Sequence, residues 1–248
     1  MNKEELKENI IYKKLIKQSS KKGMFCPFRK EFQMEVIEKF LIKDIRNKSK
    51  LNIFEACSGQ GRLLYYLNKF NNKPNYFGID YVKENVDYAN KLFKNNKNIQ
   101  CELGNVYKLS RKYLKKFDIT FLYKTLNYIP NYKTVLRNLY NVTRNKIYIT
   151  AFFYEGDIDF ETKINNYSLY KKGEYVTYYT LGKPRFCKFC KKIGAKKITF
   201  YDMKLPLDLP KPKDPNVLQT YTIKDAKGEN IELTGIIKLD WKLVIIEL

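Results

Sequence analysis

The sequence predicts one α/β domain in which a mostly parallel sheet carries helices on both faces. Three observations lead there. Apolar strand-like runs alternate with amphipathic helical stretches from Leu51 to Phe153. The first of those runs, Leu51-Asn-Ile-Phe-Glu-Ala56, passes through the turn Cys57-Ser-Gly-Gln-Gly61 straight into a helix. And 248 residues are enough for one large domain, or one domain with a sizeable insertion, whose core needs no covalent staples.

Taken in order, residues 4 to 18 read as a basic amphipathic helix with Leu6, Ile10, Leu15 and Ile16 near one face. A second helix, from about Arg29 to Lys43, places Phe32, Val36, Ile37, Phe40 and Leu41 at helical spacing. Residues 1–48 are therefore expected to form an N-terminal helical cover. Residues 50–153 hold the repeating core: strand Leu51–Ala56, helix Arg62–Phe70, strand Asn75–Asp80 ending on a carboxylate, helix Val82–Asn95, strand Ile99–Leu103, strand Lys116–Leu122, helix Tyr132–Val142 and strand Lys146–Phe153. Right-handed crossovers leave few topologies for such a series. Residues 154–180, rich in tyrosine and without a clear period, are expected as an irregular insertion on the substrate side. Helix Pro184–Ile193, ended by Gly194, leads to a strand over 196–201 and a proline-rich loop over 205–215. A hairpin pairs Thr220–Lys224 with Asn230–Thr234, so that 205–234 forms a second insertion, and the strand Trp241–Leu248 closes the chain.

No apolar run reaches membrane-spanning length, and the start Met1-Asn-Lys-Glu-Glu-Leu-Lys7 lacks the apolar stretch of a signal peptide, so a cytoplasmic protein is expected. Cysteines scattered at 26, 57, 101, 187 and 190 fit a reducing compartment. Cys187-Lys-Phe-Cys190, with no second pair and no histidine anywhere, does not complete a four-ligand zinc site, so no metal is expected. The lack of histidine also removes Ser-His and Cys-His nucleophile pairs and the commonest general base. Chemistry must then run on carboxylates, lysine, tyrosine or proximity. The net charge of +22 has two readings. One is an anionic partner such as nucleic acid, a phosphorylated metabolite or an acidic glycan; the other is an AT-rich coding bias that also enriches Asn, Ile and Tyr.

Gly59 and Gly61 let the backbone turn tightly and approach a ligand with no Cβ in the way. Loops at the carboxyl ends of adjacent strands face one crevice in open α/β sheets, which would gather Glu55, Gly59, Gly61, Asp80 and Gly104-Asn105-Val106. Asp80 lies 19 residues beyond Gly61, the spacing at which a carboxylate accepts hydrogen bonds from both hydroxyls of a ribose. Its other reading is a helix N-cap. Asn105 has an amide, and Val106 an N–H, to offer an adenine edge.

Glu55-Ala-Cys-Ser-Gly-Gln-Gly61 resembles the acidic-x-Gly-x-Gly-x-Gly signature of class I S-adenosylmethionine-dependent methyltransferases. Phe77-Gly-Ile-Asp80 resembles their second motif, Gly104-Asn-Val106 their third, and Phe117 to Pro130 their fourth. The resemblance covers about residues 50 to 153, with Gly194 to Tyr201 and the terminal strand fitting the last two strands. It implies a Rossmann-like seven-stranded sheet of order 3-2-1-4-5-7-6 with the last strand antiparallel. It also implies S-adenosyl-L-methionine as cofactor, with S-adenosyl-L-homocysteine as product. By resemblance, Glu55 organises the turn or reaches the methionine amino group through water, and Gly59 and Gly61 pass close to the methionine and ribose. Asp80 holds the ribose, Tyr81 flanks the adenine with Gly104, Asn105 and Val106 at its edge, and Leu122 and Tyr123 border the methionine end. In some small-molecule members a tyrosine and an arginine of the N-terminal cover close over the methionine carboxylate. Tyr12 and Arg29 are the counterparts, although Arg29 also reads as a solvated helix start. Three positions depart from the pattern: Cys57 replaces the first glycine, Asn105 the third-motif aspartate, and Tyr128 the histidine common in the fourth. Tyr128 and Tyr123 are the catalytic candidates. Tyr128 orients an acceptor hydroxyl, accepts its proton if its pKa is lowered from about 10, or simply packs.

Methyl transfer from a sulfonium is an in-line displacement driven largely by proximity, so the absence of histidine does not exclude it. The acceptor expected is an oxygen or nitrogen of a small, anionic molecule or glycan-linked group. The stretches Thr220 to Gly235 and Trp241 to Ile246 resemble, more loosely, bacterial methyltransferases of surface-polysaccharide decoration, and an anionic acceptor such as a nucleotide-linked sugar or a phosphoramidate-type capsule group suits the charge. RNA or DNA methylation is a second reading, favoured by the charge. Against it, Leu122-Tyr-Lys-Thr125 is not the Asn/Asp-Pro-Pro-aromatic box of base methylation, and no RNA-binding module is appended. A non-catalytic binding protein of the same fold is the third.

Overall fold

The computed structural model describes residues 32–46, 50–67, 74–165 and 175–248. The helix expected over 4–18, and with it Tyr12 and Arg29, lies outside the described residues. Helix α1 (Phe32–Arg46) is followed by β1 (Asn52–Ala56), α2 (Arg62–Leu67), β2 (Asn75–Asp80), α3 (Lys83–Leu92), β3 (Ile99–Leu103), β4 (Phe117–Leu122), α4 (Tyr132–Val142) and β5 (Thr143–Tyr154). Then come β6 (Phe160–Ile164), β7 (Val176–Gly182), α5 (Lys183–Lys192), β8 (Lys197–Asp202), β9 (Thr220–Lys224), β10 (Asn230–Thr234), β11 (Ile237–Lys238) and β12 (Trp241–Glu247).

The main sheet has the order β3-β2-β1-β4-β5-β12-β8. Its first five strands are parallel, and β12 runs antiparallel to both β5 and β8. This is the expected Rossmann-like order. The strands at its centre are apolar on both sides: Ile53, Phe54 and Ala56 of β1 are fully buried, as Ile119, Phe121 and Leu122 of β4 nearly are. A parallel sheet clad on both faces requires such strands. Their alternate side chains feed two cores. One lies under α4 and α5, with Phe54, Leu122, Val135, Leu139, Phe186 and Val244. The other lies under α1, α2 and α3, with Ile37, Leu41, Leu63, Val86, Phe121 and Leu243.

Two expectations need correction. The segment 154–180 is not irregular where it is described: β6 pairs antiparallel with β7, and β7 adds in parallel to the end of β5 at Phe153 and Tyr154. No apolar alternation marked these strands because most of their residues are only half-buried or exposed, so their faces need not differ in polarity. Strand β5 also begins at Thr143 and not at Lys146. The chain passes from α4 into β5 without a loop, because the Thr143 hydroxyl donates to Leu139 O and meets the Thr120 hydroxyl of β4 at 2.6 Å. The hairpin forms as expected, with β11 adding a third strand.

The helix α5 ends at Gly194, whose φ of 108° is outside the range of L-residues and whose missing Cβ leaves room for the Tyr140 ring of α4. Gly194→Ala is expected to lower unfolding stability by about 1–3 kcal/mol. Denaturant titration measures this, and an unchanged midpoint would contradict it.

Candidate active site

The carboxyl ends of β1, β2 and β3 meet at one crevice, and the chain's local conformations explain how. After Ala56 the backbone enters the left-handed region at Cys57 (φ 57°), Gly59 (54°) and Gly61 (83°). Ser58 N–H donates to Ile79 O at 2.8 Å and Gly61 N–H to Ser58 O at 3.0 Å, which folds the turn back on β2. Gly78 allows this contact, because a Cβ there would stand 2.8 Å from Ser58 Oγ. A Cβ on Gly59, by contrast, would meet no atom of the described residues within 4 Å beyond its chain neighbours. The turn is thus packed on one side and open on the other.

Asp80 ties the turn to the sheet. Its Oδ2 accepts from Gly59 N–H at 2.9 Å, and its Oδ1 accepts from Val82 N–H at 2.9 Å and from Asn85 Nδ2 at 3.3 Å. The side chain is 4% exposed. Burial raises its pKa, while the Val82 and Gly59 N–H groups and the Asn85 amide oppose the shift. Asp80 is not the N-cap of α3, a position held by Val82; it accepts from the N–H of that capping residue, and it stands beside the open side of the glycine turn. Glu55, the last acid of β1, is also buried and accepts a hydrogen bond from the Tyr76 hydroxyl. Burial pushes its carboxyl up to about 8, against the Tyr76 bond and with the Asp80 charge adding to the rise. Cys57 is half-buried, and burial, with the charges of Asp80 and Glu55, raises its thiol pKa, which disfavours the thiolate.

Gly104 N–H donates to Asp80 O at 2.9 Å, bringing the third motif to the same crevice. Asn105 is exposed, and its Oδ1 caps the following turn through Tyr107 N–H at 2.9 Å, while Val106 is buried in the core. Tyr81 is half-buried at the start of α3. Leu122 is fully buried at the end of β4, so only its backbone borders the crevice. Tyr123 and Tyr128 are half-buried, and Tyr128 packs its ring 5.1 Å from that of Tyr178 on β7. The Asn127 amide, donating to Tyr179 O at 2.9 Å, anchors the same turn to β7.

The residue that sequence reasoning passed over is Lys124. It follows β4 with a φ of 52°, and its N–H donates to the buried Thr150 hydroxyl at 2.7 Å. Its ammonium lies 5.6 Å from the ring centroids of both Tyr123 and Trp241. Burial first, and the positive charge of Arg62 second, lower its pKa to about 8, with Glu232 of β10 opposing the shift. Arg62 opens α2 and Glu232 lies on β10, so charges from two other elements act on the lysine after β4. Only the break in apolar character after Leu122 marked the position in sequence. Nothing in spacing forecast its backbone conformation or the influence of Glu232 on its charge.

Comparison with known proteins agrees with this geometry. The family described as "Methyltransferase domain" matches residues 47–177. No curated protein matches the chain. Among solved structures, 1,6-didemethyltoxoflavin-N1-methyltransferase of Burkholderia thailandensis, with 1,6-didemethyltoxoflavin and S-adenosylhomocysteine bound, gives a TM-score of 0.59 at 13% identity, covering 96% of this chain and 88% of that one. The N-terminal domain of EvdMO1 with S-adenosylhomocysteine bound gives 0.57 at 11% identity, over 86% of this chain and 80% of that one. Magnesium protoporphyrin IX methyltransferase of Synechocystis PCC 6803 with bound S-adenosylmethionine gives 0.52 at 10% identity, over 87% and 77%. At these identities the likeness is one of fold.

Two outcomes follow from the local chemistry. At position 57, glycine should be tolerated within about 0.5 kcal/mol, while Cys57→Val should destabilise by roughly 2 kcal/mol, since a β-branched residue resists a left-handed backbone; equal stabilities would contradict the strain. For Glu55, the unfolded chain releases its proton near 4.5 and the folded protein holds it to about 8. Wild-type stability should therefore fall relative to Glu55→Gln as pH rises through that window. Thermal unfolding against pH checks this, and parallel curves would contradict it.

Proposed function

The chain belongs to the methyltransferase domain family, and we propose that it moves the methyl group of S-adenosylmethionine to an oxygen or nitrogen of a small anionic or glycan-linked acceptor. The observation that carries the cofactor half of this reading is the pairing of Asp80 with Gly59: a buried carboxylate lies beside a turn whose open side would be filled by a Cβ. The donor set fits an adenosyl group. A carboxylate has about four acceptor sites, and Asp80 gives three to the protein. One remains for a ribose hydroxyl. The Oδ1 of the adjoining Asn85 is buried and has no partner among the described residues, so it is the next acceptor available.

When bound, the cofactor supplies an electrophilic methyl group on a sulfonium. The chain's residues do the rest. Asp80, Gly59 and Gly61 hold the nucleoside end; Tyr81, Gly104, Asn105 and Val106 border the base; Glu55, Leu122 and Tyr123 border the methionine end. Cys57 shapes the turn, and Tyr12 and Arg29 are assigned to the cover over the carboxylate. On the acceptor side, Lys124 and Arg62 favour an anionic partner. Lys124, titrating at about 8, is suited to receive the proton that the acceptor loses. Tyr128 orients the acceptor from its turn, and the hairpin β9–β10, through Glu232, closes that side.

A surface-polysaccharide precursor is the acceptor class we favour, supported by the C-terminal resemblance and by the cationic pair. A small-molecule acceptor also has a parallel in the toxoflavin-type enzyme, whose structure holds one.

Calorimetry tests the cofactor. Wild-type protein should bind S-adenosylhomocysteine and Asp80→Ala should lose about 100-fold, roughly 3 kcal/mol, as expected for charge-assisted hydrogen bonds. No binding by wild type would overturn the reading. For the acceptor, a metabolite extract incubated with methyl-labelled cofactor should yield a labelled small anionic product, and label recovered only in RNA would contradict it. With that product in hand, Lys124→Met should retain cofactor affinity within about threefold yet lower turnover by roughly 100-fold.

A further inference from the structure

The lysines and arginines are spread along the sequence, but the fold does not spread them evenly in space. The two helical layers differ. On one side of the sheet, α1, α2 and α3 together carry six cations (Lys39, Lys43, Arg46, Arg62, Lys83 and Lys91) and five carboxylates (Glu35, Glu38, Asp44, Glu84 and Asp87). On the other, α4 carries Lys133 and Arg137, and α5 carries Lys183, Arg185, Lys188, Lys191 and Lys192, with no carboxylate in either helix. The loop 106–116 adds Lys108, Arg111, Lys112, Lys115 and Lys116, again with none.

These three segments form one continuous surface. Asn138 Nδ2 of α4 donates to Val106 O at 2.8 Å, and Lys115 Nζ donates to Tyr140 O at 2.9 Å. At the other flank the Arg137 guanidinium lies 5.1 Å from the ring centroid of Phe189 on α5, with Lys133 Nζ at 6.0 Å from the same ring. The first turn of α5 is neutralised in part, since Lys183 pairs with Glu155 at 2.8 Å and Arg185 with Asp157 at 3.4 Å. Lys112 likewise approaches Glu102 at 3.7 Å. Lys133, Arg137, Lys188, Lys191 and Lys192 are exposed and make no ion pair with a carboxylate of the described residues.

We infer that this face, formed by α4, α5 and the loop 106–116, is a docking surface for the phosphodiester backbone of a nucleic acid. Two arguments select that partner. A nucleic-acid backbone presents closely and regularly spaced phosphates, and each one neutralised releases counterions, so a face whose helices carry cations and no carboxylate of their own gains from it. A membrane surface would call for an extended apolar wedge beside the cations, whereas among the described residues of this face Leu114 of the loop 106–116 is the single large apolar side chain classed as exposed, and α4 and α5 expose none. Contacts of this kind position a backbone without reading sequence. The inference is independent of the methyl acceptor.

The test compares two variants that remove the same charge from opposite layers. One is Lys188→Glu, Lys191→Glu and Lys192→Glu on α5; the other is Lys39→Glu, Lys43→Glu and Lys91→Glu on α1 and α3. Fluorescence anisotropy of a short labelled single-stranded RNA would be followed over a salt series. Wild type should bind at low salt with log K falling linearly in log salt. The α5 variant should lose more than tenfold in affinity, and its slope should shrink by about 2, three contacts at about 0.7 each. The control should stay within about threefold of wild type. Equal losses in the two variants would reduce the effect to net charge and overturn the inference, as would failure of wild type to bind RNA. Binding of phosphatidylglycerol vesicles in preference to RNA would assign the face to a membrane instead and would overturn it too. Thermal unfolding and S-adenosylhomocysteine calorimetry on both variants separate a folding defect, or failure of the cofactor assignment, from failure of this one. Should the α5 triple variant not fold, Lys188→Gln with Lys192→Gln, set against Lys39→Gln with Lys91→Gln, gives the same comparison, with an expected slope change of about 1.4.

Discussion

The crevice depends on the Asp80 carboxylate more than on any other group. A parallel sheet alone leaves the loops at its carboxyl ends to find their own conformations. Here one side chain at the end of β2 takes the N–H of Gly59 from the loop after β1 and the N–H of Val82 from the start of α3. Its own backbone carbonyl takes Gly104 from the loop after β3. Three loops are thereby fixed relative to one another by one residue, and Gly59 is held in a conformation open to a ligand. The left-handed backbone of Cys57 follows from the same constraint. The turn must fold back far enough for Ser58 to reach Ile79 O, whatever residue occupies position 57.

Burial gives the site its electrostatics. With no histidine in the chain, groups that titrate near neutrality must be made from others. Glu55 is raised and Lys124 lowered, both to about 8, and in each case loss of solvent is the first cause. Glu55 accepts a hydrogen bond from Tyr76, while the charges of Arg62 and Glu232 act on Lys124. In the reaction we propose, the lysine after β4, Lys124, is the group offered as general base, one of the residue types left open by the absence of histidine.

The core was legible in the sequence because its constraints are local. Apolar runs of strand length, glycines before a helix and a carboxylate at the end of β2 each carry their meaning within a few residues, and the order of the sheet followed from their resemblance to known motifs. Strands β6 and β7 were not legible, since half-exposed strands need no apolar alternation. Lys124 was not legible either. Its backbone geometry is set by Thr150, its environment by Trp241 and its charge partner by Glu232, all distant in sequence. The asymmetry of charge was hidden for the same reason: lysines dispersed along the chain converge on one layer only once α4, α5 and the loop 106–116 are packed together.

A crystal structure of the protein with S-adenosylhomocysteine tests the role of Asp80 most directly. The ribose hydroxyls should lie within hydrogen-bond distance of the Asp80 carboxylate or of the adjoining Asn85 amide, with the nucleoside against the open side of Gly59. The ligand bound elsewhere, or bound in the crevice without contact to either side chain, would contradict the assignment.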